Sequence, residues 1–281
     1  MNVAAQSGRP ALTWRLVDKG PKDIDIFADD AWVRSGQDWH GATGAGVRVC
    51  VVDSGVDRDH PLVGRLRAAY TVVGGSAGLT VEETDIGDAF GHGTACAGII
   101  RKAAPDCDLY SVRVLGERGT GNGDMLVAGL RWAVDQGFDV INMSLSTTKV
   151  RFVEELRTLA DEAFFRGVAI VASAHNTHVE SFPWRFSSVI SVGSHHEESD
   201  PELVLYNPVP PVEYFALGQN VEVAWSGGQT IRSTGNSFAT PFVAGLCARI
   251  LSTHPKMTMF QLKHALYLSA ANVHVGAGGA R

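Results

Sequence analysis

The sequence predicts an α/β protein: a three-layer sandwich in which a central, mostly parallel sheet carries helices on both faces. Two observations carry this expectation. Short apolar runs alternate along the chain with longer segments whose apolar residues recur at helical spacing, the pattern of strands separated by helices. Runs such as Val47–Val52 are also apolar or β-branched almost throughout, as befits strands covered on both faces.

Taken in order, Met1 to about Ile26 is polar and aperiodic, and Asp29–Trp39 reads as a short helix. Gly41, Gly44 and Gly46 mark a loop before the strand Val47–Val52, which Asp53 directly follows. A polar, glycine-rich stretch, Gly74–Gly91, precedes His92, which opens the helical apolar segment Thr94–Ile100. Strands are then expected at Leu109–Val114, Val140–Met143, Val168–Ala172 and Val189–Val192. Helices are expected at Asp124–Gln136, Val150–Phe165, from about Ser237, and at Met259–Ala270. In such a sheet reactive groups gather at the carboxyl ends of strands, where Asp53, Ser144 and Asn176 fall. No Pro/Ser-rich linker or repeat divides the chain. One domain, residues 30–275, is therefore expected, with an N-terminal extension (1–29) and a flexible tail (276–281).

Composition bounds the function. Of 281 residues, 45% are hydrophobic and 19% charged, enough for a sizeable core in a soluble protein. The net charge of −6 without a basic stripe excludes nucleic acid as an expected partner. No apolar run is long enough to span a membrane, so no membrane partner is expected either. Residues 1–19 lack a charged-then-apolar export signal, which predicts a cytoplasmic address if Met1 is the natural start. Cys50, Cys96, Cys107 and Cys247 form no CxxC pair and read mainly as buried thiols, although Cys96 and Cys107 could join in an exporting cell. The histidines at 175, 178, 195 and 196 lack a further ligand at zinc-site spacing. The run Gly119–Gly123 lacks the Gly-Lys-Ser/Thr ending of a phosphate loop. Oligomeric state stays open.

The most telling stretch is the eleven-residue run Gly235-Asn236-Ser237-Phe238-Ala239-Thr240-Pro241-Phe242-Val243-Ala244-Gly245. Pro241 is tolerable near a helix start, where backbone N–H groups have no intrahelical partner. Ser237 then sits at the positive end of the helix dipole, which favours developing negative charge. Alone, Ser237 reads equally as an N-cap, Asp53 as a turn residue and His92 as a satisfied histidine. Together they supply an alcohol, a base to take its proton and a carboxylate to orient the base.

The three stretches Val52–Asp57, Gly91–Gly98 and Gly235–Gly245 resemble the subtilisin-like serine protease family, whose triad runs in the order Asp, His, Ser. Ser111–Gly116, Asp139–Leu145, Val171–Asn176 and Val189–Gly193 carry the resemblance further, over roughly Asp30–Val273. It implies Ser237 as nucleophile, His92 as general base and then acid, and Asp53 as its orienting group. Asn176 corresponds to the side-chain oxyanion donor, helped by the Ser237 N–H. Gly119, Thr120 and Gly121, with Ser144, Leu145 and Ser146, correspond to segments that hold a peptide as an added strand. Ala174 and His175 join them as substrate-binding residues.

Departures from the family pattern add expectations. Asn236, Phe238 and Phe242 replace the usual Thr, Met and His around the nucleophile. Ser146 and His175 replace glycines, which should narrow the pocket for the residue before the scissile bond or make it polar. The segment Asn176–Pro183 is short. Restricted specificity, suited to processing, is therefore expected. The loop that supplies carbonyl ligands to a tight calcium site is missing after Gly98, and Leu62 stands in place of a ligating Asp, so no metal or other cofactor is expected. Cys96 matches the cysteine of a thiol-containing branch of the family, beneath the catalytic His. The resemblance thus implies a serine endopeptidase acting on peptide or protein substrates. The same residues could serve a transpeptidase or macrocyclase, and an inactive peptide-binding module is the remaining alternative.

Overall fold

The computed structural model describes residues 39–76 and 78–274. Its first half runs β1 (Arg48–Asp53), β2 (Leu66–Gly75), β3 (Gly78–Glu83), α1 (His92–Ala103), β4 (Asp108–Arg113), α2 (Gly123–Asp135) and β5 (Val140–Met143). A 3-10 turn (Val150–Phe152) then leads into α3 (Val153–Phe165) and β6 (Ala169–Ser173). The second half holds β7 (Ile190–His195), β8 (Leu205–Tyr206), β9 (Tyr214–Leu217), β10 (Val221–Trp225), β11 (Gln229–Ser233), α4 (Asn236–Thr253) and α5 (Met259–Ser269).

Among the described residues nine strands form one sheet in the order β3-β2-β4-β1-β5-β6-β7-β9-β8. All neighbours pair in parallel except the two edges, β2 with β3 and β8 with β9. Side-chain alternation in the central strands explains the layers. Val49 and Val51 of β1 enter one hydrophobic cluster, and Cys50 and Val52 enter the other. Ala169 and Val171 of β6 part from Ile170 and Ala172 in the same way. A strand apolar on both sides needs a helical layer over each face. Residues of α1, α4 and α5 cover one, and residues of α2 and α3 cover the other. Among the described residues no helix is long and apolar enough to cross a membrane.

Sequence reading places the central strands and helices within three residues, and Asp53 proves to be the last residue of β1 rather than the residue after it. The missed elements are β2, β3, β8, β9 and the β10–β11 hairpin, which lie at the edges of the sheet, next to them or outside it. β3 is a mostly exposed edge strand (Gly-Leu-Thr-Val-Glu-Glu) with no apolar run to announce it. β8 is two residues long, and of the β10–β11 hairpin only Val223, packed with Ala95 and Phe238, and its neighbour Ala224 are buried. The expected helix at Asp29–Trp39 and the boundaries of the N-terminal extension and the tail lie, except for Trp39, outside the described residues.

The helix carrying Ser237 begins at Asn236, so Pro241 lies inside it rather than at its edge. Proline there removes the N–H that would bond the carbonyl four residues earlier, that of Ser237. That carbonyl is accommodated from outside the helix: Ser144 Oγ donates to it at 2.9 Å, and Cys96 Sγ approaches to 3.7 Å. Two further devices seat α4. The buried Arg249 donates to the carbonyls of Trp39 and His40. Small residues also let α4 approach α1 closely. A Cβ at Gly245 would stand 2.5 Å from Ala103 Cβ. We expect Gly245→Val to force these helices apart and lower stability by about 1–3 kcal/mol, read as a lower denaturant midpoint at unchanged slope.

Candidate active site

The site is built where β1 ends and α1 begins. Asp53 is fully buried at the carboxyl end of β1, its carbonyl accepting from Val114 N at 2.8 Å. Its carboxylate accepts from Ser54 N at 2.8 Å and from His92 Nδ1, which lies 2.9 Å from Oδ1 and 3.0 Å from Oδ2. With Nδ1 so engaged, Nε2 is the nitrogen left for the cleft. This approach requires Gly93 beside the histidine, because a Cβ there would stand 2.0 Å from the Gly55 carbonyl oxygen.

A residue absent from the sequence reading holds the junction. Asp88 Oδ1 accepts from Phe90 N, Gly91 N and Ser54 Oγ at 2.7–2.9 Å. Its Oδ2 accepts from Thr94 N and Thr94 Oγ1 at 2.8 and 2.6 Å. Ser54 Oγ in turn accepts from Gly93 N at 3.0 Å. One carboxylate thus satisfies orphan donors at the start of α1 and ties them to the turn after Asp53, doing for the helix what an N-cap side chain does. The signal lay in the sequence as an Asp shortly before a helix, but its partners in the β1 turn were invisible.

Across the cleft, Ser237 lies in the first turn of α4, 8% exposed. Its N–H belongs to the set that helix geometry leaves without an intrahelical acceptor. Among the described residues Ser237 Oγ makes no hydrogen bond, so alcohol and imidazole face one cleft without being joined. Such contacts often tighten only with substrate. Asn176 Oδ1 accepts from Asn236 N at 2.9 Å, which directs the amide. A Cβ built on Gly235 would lie 3.1 Å from Ser237 Oγ and 3.4 Å from Asn176 Nδ2, so alcohol and amide flank one point.

Asn236 does more than alter packing beside the serine. Its Oδ1 accepts from Ser194 N and Ser194 Oγ, both at 2.9 Å, and its Nδ2 donates to the carbonyls of Ala174 and His175 at 3.2 Å. The side chain therefore staples the end of β7 and the loop after β6 to the start of α4. Beneath them, Asn142 Nδ2 donates to Ser144 Oγ at 3.1 Å, extending the chain that reaches the Ser237 carbonyl.

The cleft holds about 270 Å³. Of the residues named from sequence, His92, Ser237, Asn176, Gly119, Ser144, Leu145, Ser146, Ala174 and His175 line it, and Phe90, Leu115 and Ser173 are additions. Asp53 stands behind His92, whereas Gly121 lines a neighbouring cavity and Thr120 lines neither. Phe238 packs against the His92 ring at a centroid distance of 5.4 Å. The wall after Ser146 is fixed to the short segment after Asn176 by reciprocal backbone bonds between Thr147 and Phe182, at 2.9 and 3.0 Å.

Burial disfavours the His92 imidazolium, yet the Asp53 carboxylate overrides this and holds its pKa well above the ordinary 6.5. Cys96, also buried, keeps its proton more firmly than a free thiol. All four cysteines are free and buried. Asp53, His92 and Cys96 place potential ligand atoms within 4.8 Å of one another. An ion there would have to break the His92–Asp53 bond and remove the thiol proton that burial retains. Leu62, half exposed, offers no side-chain oxygen.

A parallel α/β sheet that sets an Asp–His pair at a strand end, facing a serine at a helix start, corresponds to a known class. Residues 44–279 match the subtilase family, a family of serine endopeptidases, and the chain belongs to it. It is 32% identical over 245 residues to subtilisin E of Bacillus subtilis (strain 168), a match covering 82% of this chain and 62% of that protein's length. A subtilisin of Bacillus pumilus is also 32% identical over 245 residues, with 82% and 86% covered. Among solved structures, sphericase superposes with a TM-score of 0.65 at 26% identity, covering 79% of this chain and 82% of that one. The fold is accordingly the subtilisin-like three-layer sandwich.

The geometry generates a paired test. Asp88→Ala should lower stability by about 2–3 kcal/mol through several unmet donors, and Asn236→Ala should lower kcat more than it raises KM. Thermal unfolding with steady-state peptide hydrolysis measures both.

Proposed function

We propose that this chain is a serine endopeptidase of restricted specificity, cleaving peptide bonds through an acyl-enzyme on Ser237. The observation that carries the reading is the fully buried Asp53 hydrogen-bonded to His92 Nδ1 in a cleft that also exposes Ser237 and Asn176. His92 Nε2 takes the Ser237 proton as Oγ bonds to the scissile carbonyl carbon. Asp53 keeps the imidazole in the tautomer that can do so and stabilises the imidazolium that results. Asn176 Nδ2 and the Ser237 N–H donate to the new oxyanion, and a donor of this kind is worth on the order of 10²–10³ in kcat. His92 then protonates the leaving amine as the C–N bond breaks, and water repeats the sequence to release the acid. Gly119, Thr120 and Gly121 on one side and Ser144, Leu145 and Ser146 on the other would hold the peptide as an added strand. Ser146 and His175 add side chains to the cleft, which supports selectivity for the residue before the scissile bond.

A fluorophosphonate should label the protein once, at Ser237, and Ser237→Ala should abolish both labelling and peptide cleavage; cleavage retained in that variant would sink the reading. The base must be neutral to act, and Asp53 favours its charged form. The ascending limb of the kcat/KM–pH profile should therefore have its midpoint above 6.5, with activity falling as pH drops through it. In Asp53→Asn the residual activity should show that midpoint shifted down.

A further inference from the structure

A second cavity, about 620 Å³, adjoins the Ser237 cleft, and Ser146 and His175 line both. Both walls of the cleft continue into it: Gly121 extends the wall of Gly119, and Thr147 and Thr148 extend that of Ser146. Gly121 and Gly123 in its lining pack too closely for side chains, since a Cβ at Gly121 would stand 2.7 Å from the Val114 carbonyl oxygen and one at Gly123 would meet the Phe152 ring. An extended peptide rises roughly 3.3 Å per residue and sends alternate side chains to one side, so a chain leaving the cleft passes this cavity within a few residues.

Its charge is opposite to that of the molecule. The chain carries a net −6, yet Lys149 and Arg151 line this recess, with His175 at its junction with the cleft. Asp124, next to the lining residue Gly123, pairs with Arg151 at 3.1 Å. The Lys149 ammonium has no partner among the described residues. His175 Nδ1 lies 3.1 Å from Thr177 N, 2.9 Å from Thr177 Oγ1 and 3.2 Å from the Thr177 carbonyl oxygen, which anchors the ring at the junction.

We infer that this cavity is a substrate subsite that selects a carboxylate side chain, Asp or Glu, a few residues before the scissile bond, with Lys149 as the principal cation and Arg151 as its support. The inference rests on the endopeptidase reading and adds the class of peptide it cuts. The test uses fluorogenic peptides that differ only by Glu or Gln at each of roughly the second to fourth positions before the cleaved bond. At one position Glu should exceed Gln in kcat/KM by roughly three- to tenfold at low salt, and by less at high salt. Lys149→Glu should erase or reverse that ratio, and Lys149→Gln should reduce it. Equal rates for Glu and Gln at every position would overturn the inference, as would a preference unchanged in Lys149→Glu. If Gln peptides are cut in a Ser237-dependent manner without any Glu preference, only the subsite fails. If nothing is cut and no fluorophosphonate labels Ser237, the endopeptidase reading falls and takes the subsite with it.

Discussion

A carboxylate fully removed from water must be paired, or its desolvation destabilises the fold by several kcal/mol. Asp53 is such a group, and its pairing with His92 is the constraint on which the surrounding structure depends. Meeting it requires the end of a central strand and the start of a helix to touch. Gly93 permits the contact, and Asp88 holds it by bonding donors of both elements. The same contact raises the basicity of the imidazole, so a structural requirement and a chemical one are met together.

The opposite wall is held by tertiary partners. Pro241 frees the Ser237 carbonyl from its own helix, and Ser144 from the end of β5 captures it. Asn236 joins that helix start to the segments after β6 and β7, and Asn176 answers by accepting the Asn236 N–H. Groups aimed at a developing charge act well only if they need not reorganise during the reaction. Here their positions are set by hydrogen bonds from the sheet's carboxyl edge, which the parallel topology brings to one place.

Legibility followed burial. β1, β5 and β6 were readable because a strand covered on both faces must be apolar throughout. β2, β3, β8 and the β10–β11 hairpin were not, because strands at or beside an edge, or half exposed, tolerate polar residues and glycine without penalty, and β9, next to an edge, was missed as well. Asp53, His92 and Ser237 stand in glycine-rich stretches, and these residues and Asn176 became legible through the resemblance of their stretches to a known family. Asp88 and Lys149 look like ordinary surface charges until their neighbours are known.

By itself the sequence determined the layer architecture, the strand ends at which chemistry collects and the residue types present there. These follow from periodicity and local composition, which act over a few residues. Only the tertiary structure decided that Asp88 governs the His92 junction, that Asn236 braces the loop bearing Asn176, and that a basic recess continues the cleft. Each depends on groups tens of residues apart meeting within hydrogen-bond or Coulomb range, and such encounters leave no pattern along the chain.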